Sequence, residues 1–135
     1  MDTCIFCRIV NREIPNYTVY EDKHVLAFLD VKPHAQGHTI VIPKKHGELM
    51  EDFTELEYLE LMKAVRLVAK KIKLKLKPDG LNIGWNNGSA AGQVVPHLHI
   101  HIMPRWNGDG GGSQHSIINN PGYLSVEEAA KLFKS

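Results

Sequence analysis

The run His97-Leu98-His99-Ile100-His101-Ile102-Met103 alternates imidazoles with apolar residues. On an extended chain successive side chains point to opposite faces, so the three histidines share one surface while Leu98, Ile100 and Ile102 enter the core. Imidazole is the side chain that can offer an unprotonated nitrogen near neutral pH, so such a row can attack an electrophile, donate to an anion or hold a metal. A metal centre is one reading, since histidines two apart on a strand can chelate zinc. A half-buried strand whose polar face happens to carry histidine is the plain one. Cys4 and Cys7, the only cysteines, form a C-x-x-C. A disulfide there would close a very small loop, whereas two thiolates at this spacing suit a tetrahedral metal. Asn86-Asn87-Gly88-Ser89-Ala90-Ala91-Gly92-Gln93 is a small-residue loop immediately before the triad, of the kind that lets backbone N–H groups approach an anion.

These groups need a scaffold. Strands are expected at Tyr17 to Glu21, His24 to Leu29, His38 to Ile42, Leu81 to Trp85 and His97 to Met103, with Pro43 and Pro104 as stops. Between the third and fourth, Leu56, Leu59, Met62, Val65, Val68, Ile72 and Leu76 recur at three-or-four spacing and predict one long helix from Phe53 to Leu76. Thr54 and Glu57 have capping-box spacing, and lysines 70, 71, 73, 75 and 77 complement the negative end of its dipole before Pro78 ends it. Ser125 to Glu128 would cap a short helix ending near Phe133. The fold class is α+β, a five-stranded antiparallel sheet with the long helix on one face and the triad strand near the middle.

At 135 residues the chain suits one domain, 1–135, with a core over 1–105 and a glycine-rich, variable tail over 106–135. A formal charge of +1 gives no global attraction for nucleic acid or membranes, so any anion must be recognised locally. The start of the chain lacks a signal-peptide pattern, and no stretch approaches a membrane span, which makes the cytoplasm the expected compartment. Reducing conditions there favour metal over disulfide for Cys4 and Cys7.

The pattern His-φ-His-φ-His-φ-φ, with φ apolar, resembles the signature of the histidine triad (HIT) family. The resemblance extends through Val25 to Asp30, Gly37 to His46 and Asn86 to Pro104. It implies that His99 attacks the α-phosphorus of a purine nucleotide conjugate and that water then releases the monophosphate from a nucleotidyl-histidine. AMP-phosphoramidates and dinucleoside polyphosphates are the implied substrates. His101 would steady phosphate oxygens and His38 would support it. Asn86 with the backbone of Gly92, Gln93 and Val94 would face the phosphate. Phe28 would pack beside the base and Asp30 would accept from both ribose hydroxyls. The same resemblance implies a structural zinc on Cys4, Cys7, His46 and His97, and a homodimer joined across the long helix and the fourth strand. Val94 departs from the phosphoramidase pattern, where a hydroxyl residue commonly stands; valine cannot donate a proton to a leaving group. A nucleotide-binding adaptor or sensor with negligible turnover is the alternative from another functional class. His24, His34 and His115 receive no role, while Trp106 and Gln114 to Tyr123 are placed to reach toward the leaving group or a second subunit.

Overall fold

The computed structural model describes residues 3–134; Met1, Asp2 and Ser135, the outer ends of the expected domain, lie outside the described residues. Five strands, β1 (Thr18–Glu21), β2 (Val25–Leu29), β3 (Thr39–Pro43), β4 (Gly80–Gly84) and β5 (Ile100–Arg105), form one sheet in the order β1-β2-β3-β5-β4. Every neighbouring pair is antiparallel. Helix α1 (Ile5–Val10) precedes the sheet, α2 (Glu55–Leu76) joins β3 to β4, and α3 (Val126–Lys131) closes the chain. The α+β architecture is therefore the expected one, with the triad strand interior but second from an edge.

Helix α2 starts at Glu55, two residues later than the expected Phe53, because Thr54 is its cap. Thr54 accepts from the Glu57 amide, Glu57 accepts from the Thr54 amide, and the helix ends with Lys77 in the left-handed region at φ 54°. Its buried residues are Leu61, Ala64, Val65, Val68 and Ile72, which pack on Val25, Ala27, Val41, Leu98, Ile100 and Ile102 from one face of the sheet. The expected stripe is thus corrected in its first turns: Leu56 and Leu59 are exposed. At about 100° per residue Leu56 stands about 140° and Leu59 about 160° from Leu61, so a helix seated on Leu61, Val65, Val68 and Ile72 turns both away.

The opposite face carries α1. Cys4, Phe6, Cys7 and Ile9 pack there against Leu26, Phe28, Ile40 and Ile42. Cys4 caps α1 by accepting from the Cys7 amide through its sulfur, so the C-x-x-C is also a helix start.

The triad strand differs from its expected limits at both ends. Its ladder begins at Ile100, paired with Val41, leaving His97 on a bend after Pro96 and His99 just ahead of the strand. It also continues through Pro104 to Arg105, paired with Leu81 and Gly80. Proline is tolerated because the pairing of β3 with β5 ends at Ile102, opposite Thr39, so the missing N–H of Pro104 breaks no bond to β3. The alternation nevertheless holds, with Leu98, Ile100 and Ile102 at 3%, 1% and 0% exposure.

Candidate active site and metal cluster

His97 belongs to a different centre from the other two triad members. Its Nδ1 lies 3.4 Å from Cys4 Sγ, 3.6 Å from Cys7 Sγ and 3.2 Å from His46 Nδ1, and Cys7 Sγ lies 3.3 Å from His46 Nδ1. A tetrahedron with zinc–sulfur and zinc–nitrogen bonds of ordinary length has nitrogen–nitrogen and nitrogen–sulfur edges of about 3.3–3.6 Å. The donors fit that shape. The tautomer fits too: His97 Nε2 is 2.8 Å from the Pro43 carbonyl, which can only accept, so the proton sits on Nε2 and Nδ1 is bare. Pro43 ends β3, α1 and its capping residue supply the sulfurs of Cys7 and Cys4, the segment after β3 supplies His46 and the bend before β5 supplies His97, so four parts of the chain converge here.

His99 is held by the same segment. Its Nδ1 donates to the His97 carbonyl over 2.7 Å, which leaves Nε2 as the nitrogen with a lone pair. Only 8% of the residue is exposed, and this burial lowers its pKa against the opposing effects of the His97 carbonyl and Asp30, so the ring is neutral at pH 7. The ring of Phe6 stands edge-on at 5.1 Å from that of His99, at 5.9 Å from His97 and at 5.7 Å from Phe28. Sequence reasoning missed Phe6; its one signal is an aromatic between the two cysteines.

A hydrogen-bonded chain fixes His101. The His34 amide donates to His38 Nδ1 at 3.2 Å, so neutral His38 carries its proton on Nε2, which lies 2.9 Å from His101 Nδ1. His101 therefore keeps its own proton on Nε2, where it can donate to an anion. Burial, then the neighbouring His99 and His38, push the His101 pKa down to about 4, and burial also lowers that of His38. Asp30 Oδ2 is 3.7 Å from His38 Nδ1, and Oδ1 accepts from the Lys32 amide at 2.9 Å. His34, given no role from sequence, thus sets a tautomer through its backbone.

Asp30, His38, Asn86, Gly92, Val94, His99 and His101 all line one cleft of about 960 Å³. Two expected contacts are relocated. Phe28, 5% exposed, is packed among Phe6, Leu26 and Ile40 and does not line the cleft, because its strand position points it beneath α1. Gln93 is a loop brace: its side chain accepts from the Gly88 amide and donates to the Glu48 and Val95 carbonyls. The amides of Gly92 and Gln93, expected to face an anion, instead donate within the loop to the carbonyls of Ser89 and Gly88. A tight turn consumes its own donors. The loop's members at the cleft are Asn86, whose Nδ2 is 3.4 Å from the Gly92 carbonyl, Gly92 itself with its amide turned into the loop, and Val94, 88% exposed. The tail contributes as well, with Trp106, Gln114 and Ile117 in the lining.

Comparison with known proteins agrees with this geometry. Residues 11–108 match the model of the HIT domain. An uncharacterised HIT-like protein of Methanocaldococcus jannaschii is 52% identical over 131 residues, covering 97% of this chain and 98% of its own. The adenosine 5'-monophosphoramidase of Saccharomyces cerevisiae is 36% identical over 96% of this chain and 82% of its own. Among solved structures, a HIT family member from Bacillus subtilis superposes with a TM-score of 0.84 at 40% identity, covering 97% of this chain and 92% of that one. A zinc-bound histidine triad protein from Mycobacterium smegmatis gives 0.74 at 42% identity, covering 80% and 78%. With the triad in place and the family model matched across the sheet, the chain belongs to the HIT domain family.

Proposed function

We propose that this protein hydrolyses or transfers at the α-phosphate of purine nucleotide conjugates, with His99 as nucleophile. The observation that carries the reading is the Nδ1–H···O bond from His99 to the His97 carbonyl, which frees Nε2 for attack at phosphorus in a ring kept neutral by burial. The phosphoramidase activity named for the yeast relative supports the same class. In the first step His99 Nε2 bonds to phosphorus and the bond from phosphorus to the leaving group breaks. The leaving group takes the electron pair and a proton from water entering past exposed Val94. Water then attacks phosphorus, the bond to Nε2 breaks, and monophosphate leaves with one proton passing to solvent. His101 Nε2–H stabilises the charge that develops on the phosphate oxygens, with His38 holding it in register. Asp30 accepts from the ribose, and Asn86, Gly92 and Val94 border the phosphate.

Zinc on Cys4, Cys7, His46 and His97 would be structural; it supplies a fixed crosslink between α1 and the segment that carries His99. Two copies pair across α2 and β4, a reading supported by the exposed Leu56, Leu59 and Leu67 of α2 and Ile83 of β4. The reduced thiol pair suits the cytoplasm, and no described helix is long and apolar enough to cross a membrane.

The test is mass spectrometry of protein quenched during turnover of adenosine 5'-phosphoramidate. A nucleotidyl group on His99 and its loss in His99→Ala, with a rate drop of about 10⁴ or more, are expected for a removed nucleophile. A His99→Ala variant at full rate would overturn the mechanism.

A further inference from the structure

The loop of residues 86–93 brings Asn86 and Gly92 to the cleft and leads into Val94, and it is closed largely on itself. The amides of Ala91 and Gln93 donate to the Gly88 carbonyl, and the Gly88 amide donates back to Gln93 Oε1 at 2.8 Å. Among the described residues, its hydrogen bonds to the rest of the chain come from two side chains. Gln93 Nε2 donates to the Glu48 and Val95 carbonyls at 2.8 and 3.1 Å. Asn87 Oδ1 accepts the Met50 amide at 2.8 Å, and Nδ2 donates to a carboxylate oxygen of Glu51. These partners fix which way the Asn87 amide faces, because an N–H only donates and a carboxylate only accepts. Between the two fastenings Ser89, Ala90 and Ala91 stand exposed and hold no bond outside the loop. Residues 47–51, which take up both fastenings, also hold the segment before His99, since the Gly47 carbonyl accepts the Leu98 amide at 2.7 Å. Two contacts keep them still. The ring of Phe53 lies so close over Gly47 that a Cβ there would meet it at 2.6 Å. Lys45 Nζ stands 6.0 Å from the centroid of the same ring and 2.8 Å from Glu57 Oε2, in the cap of α2.

We infer that residues 47–51 are a strut that fixes the distance between the loop of 86–93 and His99, and that Asn87 is the positioning residue that fastens the loop to it. The inference rests on the hydrolase reading, in which Asn86, Gly92 and Val94 border the phosphate that His99 attacks. Asn87 does not line the cleft, so it acts through its neighbour Asn86 and not on phosphorus. Loop and nucleophile segment hang from one short piece of chain. Neither can shift against the other without breaking the bond from Leu98 to Gly47 or those from the loop to 48–51. In-line attack needs the reacting atoms within about 3–3.5 Å of each other, so a displaced loop loses rate before it loses affinity. Affinity is guarded separately: Asp30, the residue for the ribose, is fastened elsewhere, with its amide donating to the His38 carbonyl at 2.9 Å.

The test compares wild-type protein with Asn87→Ala, Asn87→Asp and the pair Asn87→Asp with Glu51→Gln, using adenosine 5'-phosphoramidate as substrate. Asn87→Ala should lower kcat about tenfold while the Kd for AMP, measured by calorimetry, changes less than about threefold. Asn87→Asp keeps an acceptor for the Met50 amide but sets two carboxylates against each other, so its kcat should fall at least as far. Adding Glu51→Gln places a donor opposite that carboxylate, with the direction of the bond reversed, and should recover most of the rate. The Val94 methyl resonances report the loop without turnover: they should shift in Asn87→Ala and return toward their wild-type positions in the double variant. Unshifted Val94 methyls overturn the strut, and a wild-type kcat in Asn87→Ala overturns its bearing on catalysis. A double variant no faster than Asn87→Asp overturns the fastening of Asn87 to Glu51. Should wild-type protein leave the phosphoramidate uncleaved, the hydrolase reading falls and takes the catalytic role with it, while the Val94 resonances still decide the strut.

Discussion

The carbonyl of His97 accepts the Nδ1 proton of His99 while the imidazole of His97 faces Cys4, Cys7 and His46. One residue therefore serves two centres, its side chain the candidate metal cluster and its backbone the proposed nucleophile. Loss of a metal held there should be felt at His99 through this peptide unit.

Metal removal is the first consequence. Cys7→Ser, or treatment with a strong chelator, should reduce kcat by about 10- to 100-fold, the range found when groups that orient a reactive site are lost. KM should move less, since Asp30 and Asn86 lie outside the cluster. Elemental analysis should find about one zinc per chain in wild-type protein and little in the variant. Full metal content in Cys7→Ser would contradict the assignment.

Phe6 supports the same ring from the other side. Phe6→Ala should destabilise the fold by about 3–5 kcal/mol, the usual cost of deleting a buried phenyl group. Phe6→Leu should recover most of that stability but not the edge-on contact with His99, so its kcat should stay below wild type. Urea unfolding and steady-state kinetics on the pair separate packing from positioning.

The buried histidines give stability a pH dependence of known sign. With the His101 pKa at about 4 when folded, and near 6.5 in the unfolded chain, the unfolded state binds a proton that the folded state refuses. Stability is fully present above pH 6.5 and declines as pH falls toward 4. Urea midpoints measured across that window with zinc held in excess should show this decline. A shallower slope is expected in His101→Asn; an identical slope would mean that His101 is not a source of it.

Gly92 tests the loop. At φ 102° it occupies a conformation that side chains rarely adopt, and an added Cβ would lie 3.3 Å from Asn86 Nδ2. Gly92→Ala should cost about 1–3 kcal/mol in stability and shift Asn86 at the cleft. Thermal melts and KM for the phosphoramidate report the two effects separately.

Features set by local periodicity could be read from the chain alone. The alternation of His97 to Ile102 forecast which side chains enter the core, and Thr54 with Glu57 forecast the start of α2. Features made by chain segments meeting in space could not. Phe6 touches His99 across 93 positions of sequence, and the His34 amide governs His101 only through His38. A small-residue loop before the triad points the Gly92 and Gln93 amides at an anion, but the turn's own carbonyls take them. Leu56 and Leu59 fitted a helical spacing whose true centre lay on Leu61, Val65 and Val68, which depends on how α2 is seated.

Leu98, between the two histidines, is 3% exposed and donates its amide to the Gly47 carbonyl at 2.7 Å. Inserting or deleting a single residue between His97 and His99 would turn His99 to the opposite face of the sheet, toward α2, or pull His97 off its cluster. Substitutions can tune either centre, but changes of length here cannot. The spacing of two is thus a frame that deep mutational scanning should find closed to every indel, even where the flanking loop at Asn86 to Gln93 accepts them.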